Sequence, residues 1–234
     1  MRRLCARRVS TVPASPPKAR PGSSVLNIQS LLNSVGLGSK IARYQENETV
    51  YLQGDPAQQV LYIHTGGLRL TVVNEAGKEA VVAILGPDDF CGVSCLAEFP
   101  VYMTTATALM PTTALTIEKQ AMIRALHNQH ALSDRFITYI VGQNLHVEER
   151  LVDQLLNPAE RRLARALLLL AECGGSDQPR KLLPHVSQEL LAEMVGTTRP
   201  RVNFFMKKFR KLGFVRYDGG IQIDASLINT ALDE

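Results

Sequence analysis

Residues 186–214 read VSQELLAEMVGTTRPRVNFFMKKFRKLGF. Ser187 is placed to cap a first helix whose Leu190, Leu191 and Met194 face inward. Gly196 falls at the turn, where a positive φ or a close approach of two helices calls for glycine. Thr198 is placed to cap a second helix, and Pro200 sits in its first turn, where a missing N–H costs nothing. Val202, Phe205, Met206 and Phe209 recur at helical spacing and predict a buried stripe. The other face carries Arg199, Arg201, Asn203, Lys207, Lys208, Arg210 and Lys211. From Arg199 to Arg216 there are seven basic residues and no acidic one.

A helix of this kind fits the major groove of B-DNA, with its N-terminal residues at the base edges. Arginine bonds O6 and N7 of guanine together, asparagine pairs with adenine, and lysines further along meet phosphates. The expected DNA contacts are Ser187, Gln188, Thr197, Thr198, Arg199, Arg201, Asn203, Lys207 and Lys208. The bland alternative is a solvated basic helix in an ordinary helical hairpin. The next residues, FVRYDGGIQID (214–224), argue against it. They predict two short strands around Asp218-Gly219-Gly220. Helix, turn, helix and hairpin is the order of a winged helix-turn-helix.

Toward the N-terminus, Asn157-Pro158-Ala159-Glu160 reads as a helix start: Asn157 as N-cap, Pro158 first in the helix, Glu160 three residues after the cap. This helix is expected to reach about Cys173 and to end at Gly174-Gly175. Leu163, Ala166, Leu167 and Leu170 give it a buried face. The domain boundary is placed at Asn157, so that 157–234 form the DNA-binding domain. Residues 119–156 are also helical in texture. Phe136, Ile140, Val147, Leu151 and Leu155 form an apolar stripe, and Asp134, Arg135, His146, Glu148, Glu149 and Arg150 are assigned to the opposite face. A long one-sided helix wants a partner helix. Residues 132–156 are therefore expected to dimerise through Phe136, Ile140, Val147 and Leu151, the alternative being packing on the same chain.

Between Tyr44 and Ile117, short β-prone runs alternate with turns such as Gly54-Asp55-Pro56, Gly66-Gly67 and Gly86-Pro87-Asp88-Asp89. Strands of this length and spacing predict an antiparallel sandwich or barrel. Leu68, Leu70 and Val72 alternate with Arg69 and Thr71, as a half-buried strand requires. Residues 25–43 read as one or two short helices, with Leu26, Ile28, Leu31, Leu32, Val35 and Leu37 apolar. Residues 25–131 thus make a sensor domain. Residues 1–24, rich in Arg, Pro and Ser, are expected to form a disordered basic tail. Their acid-free, Arg-rich character also resembles an organelle transit peptide. The fold class is α+β: a β-roll, a long dimerisation helix and a winged helix-turn-helix.

Charge follows the same division. The chain carries 26 Lys and Arg against 22 Asp and Glu. Residues 25–156 hold eight basic and thirteen acidic residues, whereas 157–234 hold twelve and nine. The asymmetry points to a polyanion partner for the C-terminal part. No apolar run approaches the ~20 residues of a membrane span. Cys5, Cys91, Cys95 and Cys173 lack the density of a disulfide scaffold, and a reducing cytoplasm is the compartment they suggest. Cys91 and Cys95 are the candidate redox pair, although buried cysteines acting as small hydrophobes are commoner. His127-x2-His130 lacks an evident third ligand, so no metal and no cofactor is expected. A metal-dependent barrel enzyme needs two His and a carboxylate, and the predicted strands hold only His64. No nucleophile–base pair or phosphate loop suggests catalysis.

In this order of elements the chain resembles the bacterial family of the cyclic AMP receptor protein and the fumarate–nitrate reduction regulator. The most specific stretch is LLAEMVGTTRPRVNFFMKKFRKLGFV, and GGLRLTVVNEAGKEAVVAILGPDDFCG resembles the family's cyclic-nucleotide-type barrel. The resemblance covers roughly residues 27–230. It implies a homodimer, a two-fold symmetric DNA site and contact with RNA polymerase. It also places an effector pocket at Phe90, Gly92, Val93, Ser94, Thr104 and Thr105. Members that bind cyclic AMP follow Phe-x-Gly with a Glu for the ribose, whereas Phe90-Cys91-Gly92 is followed by Val93. They carry an Arg for the cyclic phosphate where Thr104 stands, and no Arg or Lys lies between Lys78 and Lys119. Burying a phosphate without a cation is costly, so cyclic AMP is not expected to bind in the family's usual way. The alternative is a barrel that takes an unidentified small molecule or senses redox through Cys91 and Cys95. In the recognition helix, Arg199 matches the family's leading Arg. Pro200 stands where Glu is frequent, and Phe204 stands where a second base-reading Arg is frequent. Iron–sulfur members cluster N-terminal cysteines, and only Cys5 lies there.

Overall fold

A computed structural model describes residues 39–97, 99–173, 180–182, 186–217, 221–224 and 226–227. The expected basic tail (1–24), the helices over 25–38, the glycines 174–175 and the wing turn 218–220 lie outside the described residues.

The N-terminal unit is built from eight strands: β1 (Lys40–Tyr44), β2 (Thr49–Tyr51), β3 (Gln59–Thr65), β4 (Leu68–Val73), β5 (Glu79–Leu85), β6 (Phe90–Cys91), β7 (Thr105–Ala108) and β8 (Thr112–Glu118). They form two antiparallel four-stranded sheets, ordered β1-β8-β3-β6 and β2-β7-β4-β5. Val60, Ile63 and Ile117 from the first sheet and Leu68, Ala106 and Ala108 from the second share one buried core. This is the β-roll that the alternating runs predict, although the two sheets do not close into a barrel.

Three local expectations need correction. Helix was expected through residue 43, but Lys40–Tyr44 is an edge strand paired with β8 from Lys40↔Thr116 to Tyr44↔Thr112. Pairing along a preformed edge overrides the weak local preference of KIARY. The clean alternation expected in β4 breaks at a register shift between Leu70 and Thr71. Past this bulge Thr71, not a hydrophobe, is buried. Strand β6 is too short to show periodicity and was not foreseen.

Helix α1 (Lys119–Asn128) follows β8, and α2 (His130–Leu156) is a single 27-residue helix. It starts two residues earlier than expected, and Leu132 is buried in the roll's core. Phe136 and Tyr139 also face the roll: the Phe90 ring meets them edge-on at 5.4 and 5.2 Å. The Tyr139 hydroxyl donates to the Phe90 carbonyl at 3.2 Å and accepts from its N–H at 2.9 Å. Gln143 donates to Asp89 at 3.0 Å. The turn after β5 is thereby fastened to the first half of α2.

Helix α3 (Ala159–Cys173) opens the C-terminal unit. Asn157 does not cap it. The Pro158 carbonyl takes the first helical bond, from Arg162 at 3.2 Å, and Asn157 ends α2 instead. Its N–H donates to the Asp153 carbonyl and its side-chain amide to the Asp153 carboxylate. The oxygen foreseen as the cap of α3 accepts instead from the Arg161 side chain at 3.4 Å. Helices α4 (Gln188–Val195) and α5 (Arg199–Lys211) are the expected pair. A three-stranded sheet, β10 (Val215–Tyr217), β11 (Ile221–Asp224) and β9 (Arg180–Leu182), completes the winged helix. The third strand, β9, was not expected.

The two units share hydrophobic surface. Successive strand residues point to opposite faces, and β5 buries both. Leu85 faces the roll's core, whereas Ile84 is buried together with Leu191, Ala192, Leu163 and Leu109 in the core of the DNA-binding unit. Helix α4 packs directly on β5. This double burial explains why Ile84 and Leu85 are both apolar at the end of EAVVAIL, whereas Val82 in the same run is exposed.

Candidate nucleic-acid interface and sensor pocket

Helix α4 is capped as expected: the Ser187 hydroxyl accepts from the Leu190 N–H at 3.1 Å, satisfying one orphan donor of the first turn. This bond commits Ser187 to structure. Gly196 ends the helix at φ 64°, and the N–H groups of Gly196 and Thr197 close back on Ala192 and Glu193 carbonyls. A left-handed residue here favours glycine, and a Cβ would stand 2.8 Å from the Gln154 side-chain nitrogen. Thr198 has the extended backbone of an N-cap but makes no side-chain capping bond. Its hydroxyl stays available, as does the half-buried Thr197.

Helix α5 buries Val202, Phe205, Met206 and Phe209 against the rest of the domain. It exposes Arg199, Pro200, Arg201, Phe204, Lys207, Lys208, Arg210 and Lys211, with Asn203 and Gln188 half-buried. Two of the cations are held by acids of the same chain. Arg199 pairs with Glu189 at 2.8 Å and Lys208 with Glu160 at 2.7 Å. Exposed pairs of this kind are worth little and are screened by salt, so a phosphate or a base edge displaces them at small cost. Arg201 and Lys207 are exposed. Every sequence-predicted DNA contact lies on α4, on α5, in the turn between them or, for Ser187, at the N-cap of α4.

Sequence reasoning missed the residue that joins this head to α2. Arg162 donates to the carbonyls of Val195 (3.0 Å), Gln154 (3.0 Å) and Asn157 (3.1 Å). One guanidinium thereby satisfies the C-terminal carbonyls of two helices, which have no intrahelical partners. Arg165 adds an ion pair to Asp153 at the end of α2. The signal in the sequence was only an Arg-Arg pair in a first turn, where acids are the helix-dipole preference.

In the roll, none of the six residues expected to form an effector pocket lines the open depression of about 310 Å³. That depression is bordered by Tyr44, Val50, Tyr51, Asp55, Pro56, Gln58, Gln59, Leu61 and Tyr102, which include a carboxylate and no cation. Phe90 is buried beneath α2. Gly92 (φ 76°) is backed by the Tyr102 ring, which a Cβ would meet at 3.0 Å. Val93 and Ser94 are half-buried in a short 3-10 helix, Val93–Ala97. Thr105 accepts from the Gln53 N–H at 3.0 Å. Thr104 is half-buried. The rings of Tyr51 and Tyr102 stack at 3.8 Å. The stacked pair of Tyr51 and Tyr102 thus fills the space beside Gly92.

The candidate redox pair is sequestered. Cys91 and Cys95 are free thiols with almost no exposed surface. Burial pushes the Cys91 thiol up to about 12, only partly opposed by its 3.0 Å hydrogen bond with the Tyr51 hydroxyl. Burial also raises Cys95, with Lys119 opposing. A thiolate is the reactive form, and burial opposes it at both. Among the described residues no group of three or more His, Cys, Asp or Glu is arranged to hold a metal. No described helix is long and apolar enough to cross a membrane.

The exposed apolar surface of α2 differs from the expected stripe. Phe136 turns onto the roll, and Ile137, Ile140, Val141, Leu145, Val147, Leu151, Val152, Leu155 and Leu156 are exposed. Steps of four and three residues from Ile137 pass through Val141, Asn144, Glu148, Leu151 and Leu155. Glu148 thus stands within the stripe rather than opposite it, accepting from the Asn144 amide at 3.0 Å.

A β-roll whose long helix leads into a winged helix-turn-helix with an exposed cationic recognition helix is the architecture of a sensor-coupled transcription regulator. Residues 41–129 match the cyclic nucleotide-binding domain and residues 161–225 the Crp-like helix-turn-helix domain. The chain belongs to the family of the cyclic AMP receptor protein and the fumarate–nitrate reduction regulator. It is 23% identical over 178 residues to a "CRP-like cAMP-activated global transcriptional regulator" of Mycobacterium tuberculosis, covering 75% of this chain and 80% of that protein. It is 25% identical over 193 residues to a "Global nitrogen regulator" of Synechococcus elongatus, covering 81% and 87%. FixK2 from Bradyrhizobium japonicum has the same fold, with a TM-score of 0.72 at 19% identity over 82% of this chain and 95% of that one. The chain is a DNA-binding transcription regulator of the Crp type.

Proposed function

We propose that this regulator acts as a homodimer on a two-fold symmetric duplex site. The observation that carries the reading is α5: four apolar residues anchor it, and its other face is exposed and cationic over 13 residues. Two chains pair along the exposed stripe of α2, with Asn144 and Glu148 as polar members that fix register. Such polar positions trade stability for specificity in helix pairs. Paired heads present their recognition helices to successive major grooves about 34 Å apart. Arg199 and Arg201 read base edges, Asn203 reads adenine where the groove reaches it, and Lys207 and Lys208 hold phosphates. Family membership supports contact with RNA polymerase.

The roll does not take cyclic AMP in the way of the family's cyclic-AMP-activated members. What supports this reading is the Tyr102 ring set against Gly92, with Tyr51 stacked on it, and a stretch from Lys78 to Lys119 that holds no Arg or Lys in between. Buried, protonated Cys91 and Cys95 argue against direct thiol sensing. An unidentified small molecule at the Tyr44–Tyr102 depression is the second reading, favoured by that depression alone. Selection from a random duplex pool with the reduced protein, followed by titration of Arg199→Ala/Arg201→Ala on the enriched site, tests the DNA reading. A double variant that binds the enriched site as well as wild type refutes the assigned contacts. Micromolar cyclic AMP binding by calorimetry refutes the account of the roll.

A further inference from the structure

We infer that Phe204 is a base-reading residue and that it reads thymine through its 5-methyl group. This rests on the DNA-binding reading of α5 and deepens it. Phe204 is 65% exposed, although it is a large aromatic on a helix whose other aromatics, Phe205 and Phe209, are buried. Its neighbours on the helix surface, three and four residues away, are Pro200, Arg201, Lys207 and Lys208, and all four are exposed. Phe204 therefore stands in the middle of the cationic face, opposite the buried stripe of Val202, Phe205, Met206 and Phe209.

Its ring is positioned rather than loose. It meets the ring of Phe205 at 5.7 Å between centroids and 67° between planes, and Phe205 is itself anchored in the core. An aromatic side chain also has only two rotatable bonds to order on binding.

The surrounding charge selects the occupant. A ring ringed by Arg201, Lys207 and Lys208 is suited to a polyanion that offers an apolar group. A second copy of the same cationic face would be repelled. Phenylalanine has no hydrogen-bonding atom, so it cannot read a base edge by donor or acceptor. The apolar feature that base pairs present in the major groove is the thymine methyl. An Arg at this position would instead favour guanine.

The test uses the full chain and the duplex enriched from a random pool, with affinity measured by fluorescence anisotropy at one salt concentration. Each thymine of the site is replaced in turn by deoxyuridine, which removes only the methyl. Wild type is expected to weaken about four-fold at one thymine per half-site, the worth of one buried carbon, and about fifteen-fold when both half-sites are changed. Phe204→Ala should bind more weakly and lose this sensitivity at that position alone. Phe204→Arg should shift the pool's preference there from thymine to guanine. Circular dichroism confirms that the variants fold. An enriched site at which no uridine substitution separates wild type from Phe204→Ala overturns the inference while leaving the DNA reading intact. A pool that yields no enriched sequence overturns both.

Discussion

Replacing Arg162 with alanine removes the clamp between α2 and the DNA-binding head. Three carbonyl acceptors lose a charged donor, at Val195, Gln154 and Asn157. A hydrogen bond to a charged group contributes about 1.5–3 kcal/mol, and a neutral one about 0.5–1.5. The Val195 carbonyl, at the end of α4, is the least easily rehydrated and is counted at the higher value. The Gln154 carbonyl is exposed and the Asn157 carbonyl half-buried, and both are counted at the lower. The sum is about 2.5–6 kcal/mol, which for a chain of this size corresponds to a Tm lowered by roughly 5–24 °C. Thermal unfolding followed by circular dichroism, with a parallel denaturant titration, measures it. Specific DNA affinity should fall as well, because the two heads lose their common orientation relative to α2. Arg162→Lys reaches fewer of these carbonyls and should fall between. A loss below about 0.5 kcal/mol, within the range of ordinary surface substitutions, would show that the clamp is replaced by water without penalty and would refute the reasoning.

Other perturbations probe separate parts of the structure. Ile84→Ala opens a void between β5 and α4 and should cost about 2–4 kcal/mol, with faster proteolysis between the two units; unchanged stability and cleavage would mean that the shared core does not form. Cys91 should resist an aromatic disulfide reagent at pH 8, because a thiol pushed up to about 12 is ionised in about one molecule in ten thousand there. Its raised value also means that its contribution to stability is complete below pH 9 and lost as pH rises toward 12; rapid labelling of the native protein at pH 8 would contradict the burial. Glu193 is raised by burial and by Glu79, with Arg69 opposing. Docking of α4 should therefore weaken as pH rises through the titration of this carboxyl, and Glu193→Gln should flatten that dependence in an amide-exchange experiment. Leu155→Asp, at a residue 72% exposed in the single chain, should shift the protein from dimer to monomer in analytical ultracentrifugation; a monomeric wild type would remove the role given to α2.

The elements with strong periodicity were legible from sequence. In α4 and α5 the Ser187 cap, the turn glycine and the buried stripe are encoded within thirty residues, and the structure places each where the spacing puts it, whereas Thr198 makes no capping bond. The paired runs of the roll were legible for the same reason. What escaped depends on residues distant in the chain. Strand β1 is a strand because β8 offers it an edge, and β9 because β11 does. The bulge at Leu70/Thr71 inverts the burial of β4 without leaving a mark in its composition. Asn157 has the chemistry of an N-cap, but its side chain was claimed by Asp153 of the preceding helix. Phe136 satisfies the spacing of an interhelical stripe, yet Phe90 lies close enough to take it.

Because consecutive residues of one strand, Ile84 and Leu85, each serve as core for a different unit, the two units cannot be inherited independently. A head of this kind moved onto another sensor would leave Leu191 and Ala192 without their cover, and a roll left alone would show Ile84 to water. Recombination in this lineage is then confined to exchanges that carry β5 and α4 together. Substitutions on either surface are constrained by the other, so the two should drift as a matched pair even where the DNA site and the signal both change.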